Sequence, residues 1–449
     1  MRRFFFLACA LVATVAPLSG ATAAQAWDNY SGPERAASPG DTLTLSLADA
    51  QRLALERNPA FLASSQERGI ARGRLRQARI YPFNPEMELR APGAASSVAS
   101  SAGGGVLGSY EAFLGLEVEW AGQRGLRTRA AEIGLDRADA SVGDAARRTL
   151  AEVSEAFYAT LAAERRLSVV QQILEQSQRL LEATRTQARA GEISTLEASL
   201  AETEAGRARA RVLAVQREVT GARLELQRLT GLGPDQPVRV DTAELAIPDP
   251  TALEADSLLE QALARRPDLL ERTRGAEQAR ALTRLARREA LPNLRVGALA
   301  TRDGIDGKPG IGLGVSLPIP LWNRNQGTVA ERSAEAEQAD QSRRATELAV
   351  RTEVKNAHLA YQAAHEESQI YEREVLRPAR DNQERLETAY RAGKLDLPAL
   401  LLLRNQLLDA ELGYWDAWLA AHRAWVTLQA ATAALLPREG ARTNELEES

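Results

Sequence analysis

The sequence predicts a mainly α-helical fold with a small β part, built twice from one duplicated unit. The first observation is repetition: ALERNP at 54–59 recurs as ALARRP at 262–267, and RAG at 189–191 recurs at 391–393. The second is a pair of short period-two segments in each copy, and the third is a very long helical stretch after each pair. A unit of about 180 residues far exceeds a solenoid repeat, which indicates duplication of a single fold.

The first 26 residues are typical of a secretory signal. Arg2 and Arg3 precede an apolar stretch at 4–15, and an A-x-A cleavage site lies at 24–26. The alternative is a buried N-terminal helix. No later apolar run approaches the roughly 18 residues that a spanning helix needs, so we expect no transmembrane helix.

Composition argues against several classes of protein. The single cysteine, Cys9, lies inside the signal and away from its cleavage site, so we expect a mature chain without thiols and without a lipid anchor. Removing Arg2 and Arg3 from the 56 basic residues leaves 54 against 60 acidic ones, a net charge of about −6 that disfavours nucleic-acid binding. The chain has no Gly-rich phosphate loop and no supported nucleophile–base pair, so we predict no enzyme activity and no cofactor.

Domain boundaries follow from the repeats and from the proline-containing segments. The non-repeat segments are the signal at 1–26, a flexible segment at 27–46, an inter-repeat linker at 232–257 and a polar tail at 437–449. The first repeat spans 47–231, with a helix broken at Asn58-Pro59, a β-hairpin at about 85–120 and a helical tip at 190–195. The second spans 258–436, with a β-hairpin at about 293–318 and a tip at 392–397.

The period-two segments predict four strands, as two hairpins. Met87 and Leu89 alternate with glutamates, and Leu313 and Val315 alternate with glycines, which gives each strand one apolar and one polar or small face. If the strands close a barrel, the polar face lines the lumen. The candidate lumen residues are Glu86, Glu88, Glu111, Glu117 and Glu119. A lumen wall that carries only negative charges would favour cations. The alternative is that these glutamates simply keep a polar lumen hydrated.

Each hairpin is followed by helices that turn back at a glycine. Residues 124–190 contain no proline and 326–392 contain one, and apolar residues beyond step by three and four, as in a coiled coil. Gly191 and Gly393 can take the left-handed position that ends a helix. Helices restart at Ser194, with Glu197 as its capping-box partner, and at Asp396, with Pro398 in the first turn. Both tips are therefore predicted to be tight antiparallel helical hairpins.

Four strands cannot close a sheet in lipid, where unpaired backbone is not tolerated. If the strands lie in a membrane, several copies of the chain must share one barrel, and the helices must project from it as a tube. A soluble periplasmic coiled-coil scaffold with small sheet caps is the alternative from a different class.

Three stretches carry a resemblance to a known family. QARIYPFNPE at 77–86, PIPLWNRNQG at 318–327 and YRAG at 390–393 resemble the TolC family, and more narrowly the outer-membrane component of cobalt–zinc–cadmium-type efflux systems. The resemblance implies a homotrimer in the outer membrane of a Gram-negative bacterium, in contact with its lipid. Each chain would give four strands to a 12-stranded β-barrel, and the long antiparallel coiled-coil helices would form a periplasmic tunnel.

The same resemblance implies the partners and the function. A periplasmic adaptor and an inner-membrane proton-driven pump would complete a tripartite efflux pump, with this chain as the passive exit duct, and heavy-metal cations are the expected cargo. Drug efflux and type I protein secretion by the same duct remain open alternatives. The implied docking residues at the tips are Arg189, Gly191, Ser194, Glu197, Arg391, Gly393, Asp396 and Pro398.

The sequence departs from the family at the second tip. Acidic residues usual in the family are replaced by Ala399 and Leu402, so an acidic ring at the mouth is weaker or is built from Glu197. His358 and His365 share one helical face, which we interpret as solvated surface, and we predict no metal site.

The strand–helix junctions form the last candidate site. Its residues are Trp120, Pro318, Trp322, Arg324, Asn325 and Gly327. The two tryptophans fit an interfacial aromatic belt, and core packing is the alternative.

Overall fold

A computed structural model describes residues 42–90, 110–241, 246, 248–302 and 309–436. The predicted signal at 1–26, the predicted tail at 437–449 and most of the 27–46 segment lie outside these residues. The elements in chain order are β1 (Leu43–Leu45), α1 (Leu47–Arg57), α2 (Pro59–Arg79), β2 (Glu86–Arg90), β3 (Tyr110–Val118), α3 (Gln123–Ala190), α4 (Thr195–Thr230), β4 (Val238–Val240), α5 (Ala255–Arg265), α6 (Pro267–Glu289), β5 (Leu294–Arg302), β6 (Pro309–Ser316), α7 (Gln326–Ile370), α8 (Arg377–Arg391) and α9 (Leu397–Ala431).

The predicted break at Asn58-Pro59 is confirmed, and it also ties each repeat together. Asn58 caps α2 by accepting from the Ala60 amide at 2.9 Å, while its Nδ2 donates to the Leu229 carbonyl at 3.0 Å, in the last turn of α4. Arg266 occupies the same place in the second repeat and donates to the Ala431 carbonyl, at the end of α9, at 3.3 Å. Each break therefore satisfies a carbonyl at the C-terminus of the last helix of its own repeat.

The two hairpins join into one antiparallel sheet with the strand order β2-β3-β5-β6. Leu114 of β3 lies opposite Met87 of β2 and Ala298 of β5, and Ala298 lies opposite Leu313 of β6. The outer edges of β2 and β6 have no strand partner among the described residues.

The helices follow the same order as the strands to which they connect. α2 packs against α3, α3 against α6, and α6 against α7. α4 returns along α3, and α9 packs against both α3 and α7. Each strand of the large sheet is thus joined by a short segment to one helix, and these helices lie side by side in the order of the strands. The fold class is confirmed as mainly helical with four antiparallel strands.

The apolar seams form the core of the helical body. α3 contributes Val153, Phe157 and Leu161, which pack with Leu226 of α4 in one buried cluster. Tyr361 of α7 is fully buried, and its hydroxyl donates to the Pro248 carbonyl of the linker. In the part of the chain that the structure describes, no helix is both long and apolar enough to cross a membrane.

Two short strands correct the predicted boundaries. Residues 43–45, expected to be flexible, form β1, which pairs in parallel with β4 inside the predicted linker. Leu45, Val238 and Val240 are buried against the α3–α4 core, which explains why these segments are ordered. Three-residue strands are too short for a period of two to be recognised.

The second long helical stretch is interrupted. α7 passes into a π-helical segment at Tyr371–Leu376 before α8 begins. Pro378 has no N–H to donate to the carbonyl of Glu374, four residues earlier. The preceding amide, that of Arg377, donates to the Glu372 carbonyl, five residues earlier, which is the π-helical pattern. The helix therefore widens by one residue per turn at this point.

The expectation that His358 lies on solvated surface is wrong. Its side chain is 7 % exposed on the face of α7 that packs inward, and His422 of α9 is buried as well. His365 is half-buried, with its ring centroid 6.0 Å from that of Tyr361. A seven-residue spacing fixes a shared face but does not say whether that face is covered.

Candidate functional site

The sheet has one exposed apolar face. Ile311 and Leu313 of the edge strand β6 are each 89 % exposed, and Met87 and Leu89 of the other edge strand are exposed too. Register places Leu114 and Ala298 between them on the same face. A continuous apolar face without a covering layer marks a surface made for contact with apolar surroundings.

The opposite face is polar and carries a platform that the sequence analysis missed. The ring of Phe113 covers Gly115 and Gly297, where an added Cβ would come within 2.5 Å and 2.4 Å of ring carbons. The Arg295 guanidinium carbon lies 5.3 Å from the ring centroid, and Arg295 donates to Glu86 at 2.6 Å. Gly115 lies two residues after Phe113 on the same strand face, and Gly297 lies opposite Gly115, so glycines beside an aromatic residue within the strands were the available signal.

Three of the predicted lumen glutamates have polar partners on this face. Glu88 pairs with Arg90 at 2.8 Å, Glu86 pairs with Arg295, and Glu117 accepts from the Asn293 amide at 2.7 Å. Glu111 lies on β3 opposite Thr301 and makes no ion pair within the described ranges. Two arginines, Arg90 and Arg295, therefore lie among the four glutamates of this face and offset part of their negative charge.

Glu119 differs from its expected position. β3 ends at Val118, and the Glu119 side chain, only 6 % exposed, accepts from both terminal nitrogens of Arg127 at 2.9 and 3.1 Å. The carboxylate thus anchors the end of the strand to the second turn of α3. The alternating pattern at 110–120 predicted a strand that ends two residues later than the observed one.

The strand–helix junctions are held by side chains that bond across repeats. Trp120 Nε1 donates to the Pro292 carbonyl at 2.9 Å, and Gln123 Nε2 donates to Asn293 at 3.3 Å. Trp120 is exposed, and Trp322 is 86 % exposed in the single chain. Neither ring is packed in the core of the chain.

The last junction is stabilised by its own polar residues. Asn325 takes a left-handed conformation with φ of 61° and donates to the Ala286 carbonyl of α6 at 2.8 Å. The Arg324 amide donates to Gln326 at 2.7 Å, and Gln326 donates to the Trp322 carbonyl at 3.1 Å. Pro318 precedes this turn and Gly327 follows it, in the first turn of α7.

The first tip has the predicted cap chemistry. Gly191 ends α3 with φ of 77°, and the Ser194 hydroxyl accepts from the Glu197 amide at 3.2 Å. The Glu197 carboxylate accepts in return from the Ser194 amide at 2.9 Å, which completes the capping box. Arg189 is exposed and its Nε donates to the Arg185 carbonyl at 3.2 Å.

The second tip repeats this geometry. Gly393 has φ of 69°, Asp396 accepts from the Ala399 amide at 3.0 Å, and Pro398 lies in the first turn of α9. Arg391 is the last residue of α8, and its side chain lies outside the described part of the structure. Glu197 and Asp396 are thus both engaged in capping.

The two tips are close to one another. Leu180 of α3 and Ala201 of α4 share one apolar cluster with Leu397 and Leu400 of α9. Burial, together with the negative charge of Glu197, raises the pKa of Tyr390 above its usual value. A tyrosine at one tip is therefore within electrostatic reach of the capping carboxylate at the other.

Comparisons with known proteins agree with this geometry. Residues 51–232 and 258–434 match the family described as outer membrane efflux protein, one match for each repeat. The chain is 24 % identical over 396 residues to the cobalt-zinc-cadmium resistance protein CzcC of Cupriavidus metallidurans, covering 88 % of this chain and 90 % of that protein. Among solved structures, a membrane protein from Pseudomonas aeruginosa superposes with a TM-score of 0.71 at 20 % identity, covering 86 % of this chain and 93 % of that one. The Campylobacter jejuni CmeC outer membrane channel also gives 0.71, at 15 % identity over 88 % and 86 %.

Proposed function

This chain belongs to the family of outer membrane efflux proteins, and from that premise we propose that three copies form a passive exit duct for heavy-metal cations. The protein is a channel of the outer membrane with a periplasmic helical tunnel, and it is not an enzyme. The trimer, the two partner proteins and the cargo are the proposed parts.

The trimer proposal rests on the two unpaired outer edges of the sheet. β2 and β6 leave their outer edges without a strand partner among the described residues, while the face between them is apolar and exposed. In lipid, each unpaired backbone group costs several kcal/mol, so both edges need strands from other copies. Because each copy contributes four antiparallel strands, its two edge strands, β2 and β6, run in opposite directions. The β6 strand of one copy can therefore pair in antiparallel fashion with the β2 strand of the next, all around a ring. Three copies of four strands give 12.

The tips support docking of a periplasmic adaptor, through which an inner-membrane proton-driven pump would supply the cargo. Leu196 is 70 % exposed in the first turn of α4, and Leu402 is exposed in the second turn of α9. Their positions next to the glycine turns give each tip an apolar contact surface on a rigid, capped hairpin. We propose that Gly191, Gly393 and the residues around them form this docking surface.

Two observations favour metal cations as the cargo. The protein CzcC is named for resistance to cobalt, zinc and cadmium, and it matches nearly the whole chain. The polar strand face also carries Glu86, Glu88, Glu111 and Glu117 against Arg90 and Arg295, a net charge of −2 per copy (−4 + 2). Within the described residues no group of three or more His, Cys, Asp or Glu could hold a metal ion. Weak attraction without a tight site suits a duct that must release its cargo.

Growth of a strain that lacks this gene tests the cargo. We expect the strain to become sensitive to zinc, cobalt and cadmium, and plasmid-borne wild-type protein to restore resistance. Unchanged metal resistance combined with new sensitivity to drugs or organic solvents would assign the same channel to drug efflux. Loss of a secreted polypeptide from the medium would assign it to protein secretion.

Cross-linking tests the trimer independently of cargo. The only native cysteine is Cys9, so one cysteine at Met87 on β2 and another at Leu313 on β6 can be joined selectively. In outer-membrane fractions, a thiol cross-linker is expected to yield a covalent trimer on a denaturing gel. The control pair, Met87→Cys with Ala300→Cys on the inner strand β5, is expected to yield none. A monomer from both pairs would contradict shared closure.

A further inference from the structure

Six exposed arginines lie directly below the sheet, at the ends of the four helices that join the strands. They are Arg76 and Arg79 in the last turn of α2, Arg124 at the start of α3, Arg287 and Arg288 in the last turn of α6, and Arg324 two residues before α7. We call these six residues the arginine band.

Contacts join the helix ends that carry the band. Arg124 donates from Nη2 to the Arg79 carbonyl at 2.6 Å, which joins α3 to α2. Asn325 donates to the Ala286 carbonyl, so Arg324 and Arg287 are each one residue from a direct contact between α7 and α6. Because α2, α3, α6 and α7 lie side by side in that order, the band crosses the whole width of one copy.

Most of these positive charges are uncompensated. Arg79 pairs with Glu132 at 3.4 Å, but the other five form no ion pair within the described ranges. Further along the helical body some exposed arginines, such as Arg185 and Arg280, have a carboxylate at 2.7 Å. Others have none within the described ranges, so it is their clustering at the helix ends that distinguishes the six arginines of the band. Glu289, the exposed last residue of α6, is outnumbered by the six arginines, so the helix ends carry a local excess of positive charge on a chain whose net charge is negative.

An exposed apolar ring accompanies the band at the same junctions. It consists of Ile80, Trp120, Leu291, Ile319, Leu321 and Trp322. Tryptophan together with basic residues at the edge of an apolar surface is the composition found where a protein crosses from lipid hydrocarbon into water. Long arginine side chains can keep their stems against apolar groups and place their charges at the headgroups.

We propose that the arginine band binds the phosphate groups of anionic phospholipids in the leaflet that faces the periplasm, and so sets the depth of the channel in the membrane. A guanidinium group offers paired N–H donors that match phosphate oxygens, and juxtamembrane basic residues attract anionic lipid. The inference deepens the proposed function, because it requires the sheet to be the part embedded in lipid.

The test measures lipid preference of the purified full-length protein in bilayers. Spin-labelled phosphatidylglycerol and spin-labelled phosphatidylcholine are compared as probes, and the immobilised fraction of each gives their relative association constants. The variant R287Q/R288Q/R324Q removes three band members without a side-chain ion pair. The matched control R209Q/R217Q/R344Q removes three exposed, unpaired arginines of α4 and α7 that lie away from the junctions.

Wild type and control are expected to prefer phosphatidylglycerol. In the band variant, the ratio of the phosphatidylglycerol to the phosphatidylcholine association constant is expected to fall about fivefold or more. R324Q alone is expected to lose a smaller part, which keeps the test valid if the triple variant assembles poorly. An unchanged preference in the band variant, or an equal loss in the control, would overturn the proposal. The measurement involves neither cargo nor adaptor, so failure of the metal-export proposal would leave this result unaffected.

Discussion

At the scale of single residues, Arg266 is a buried arginine that makes hydrogen bonds within α6 and to two other helices. It is 4 % exposed, and its guanidinium donates to Asp268 at 2.7 Å, to Glu353 at 2.6 Å and to the carbonyl of Ala431. One residue therefore joins α6, α7 and the end of α9. The sequence indicated a helix break here but not this role, since Asn58 performs it in the first repeat with a neutral amide.

Arg266→Ala is expected to lower the free energy of unfolding by about 3–5 kcal/mol, because it leaves the partly buried carboxylate of Asp268 without its cationic partner and the Ala431 carbonyl without its side-chain donor. Thermal unfolding in detergent, followed by circular dichroism, measures the effect. The control Arg52→Ala removes an arginine whose pairs with Asp49 and Glu56 are exposed, so about 0–1 kcal/mol is expected. Equal losses in the two variants would contradict the role assigned to Arg266.

The same residue predicts a dependence on pH. Burial raises the pKa of Asp268, but the hydrogen bond and charge of Arg266 outweigh burial and hold that pKa below its usual value. A lowered folded-state pKa gives stability that is present above the unfolded value of about 3.9 and is lost as pH falls through the folded value. Unfolding midpoints measured from pH 6 downward should therefore fall less steeply below about pH 4 in Arg266→Ala than in wild type. Parallel curves would contradict this linkage.

Residue-level predictions succeeded where the chemistry is local. The capping box of Ser194 and Glu197 is confirmed because both partners lie within one helical turn. The stacking of Arg295 on Phe113 depends on strand register between the two repeats, and the burial of His358 depends on which helix covers its face. Neither can be obtained from spacing along one segment.

At the scale of elements, the tips combine a turn with an exposed surface. Replacing Gly191 or Gly393 with valine forces a β-branched residue into a positive φ, at a cost of about 1–2 kcal/mol. We expect metal export to fall while the cross-linked trimer persists, because the distortion is confined to the proposed docking surface. Gly206→Val, in open space on the surface of α4, is the control. Unchanged resistance in both tip variants would show that docking occurs elsewhere.

The π-helical segment depends on a close contact with α9. A Cβ at Gly413 would lie 2.7 Å from Cε1 of Tyr371, the first residue of that segment. Gly413→Ala is therefore expected to destabilise the protein by about 1–3 kcal/mol by displacing the ring. Adding Tyr371→Ala should recover part of the loss, so a double-mutant cycle on unfolding midpoints checks the contact. Strict additivity of the two changes would exclude it.

Elements were predictable in proportion to their length. The 68 residues of α3 and the four strands of the large sheet have enough periods to be identified from sequence. β1 and β4 have three residues each, and their pairing brings together positions 195 apart (238 − 43). The π-helical segment follows from Pro378, but proline alone does not distinguish a kink, a stop and a widened turn.

At the scale of the whole molecule, the charges of the strand face predict the selectivity of the channel. We expect the purified channel in planar bilayers to be more permeable to cations than to anions, because the face has a net charge of −2 per copy. Arg295→Gln should increase the cation-to-anion permeability ratio, and Glu111→Gln should decrease it. Arg209→Gln, on the helical body, is the control. Equal permeability of wild type to both ions would refute the preference.

The four junctions between strands and helices differ in length. β3 joins α3 through residues 119–122 and α6 joins β5 through 290–293, whereas β6 joins α7 through 317–325. Hydrogen bonds from Trp120 and Gln123 also link the two short connections to one another. The longer 317–325 connection is held as well, because Asn325 donates to the Ala286 carbonyl of α6. All three connections are thus fixed to a neighbouring element, and we expect the sheet to keep its shape when the tips move.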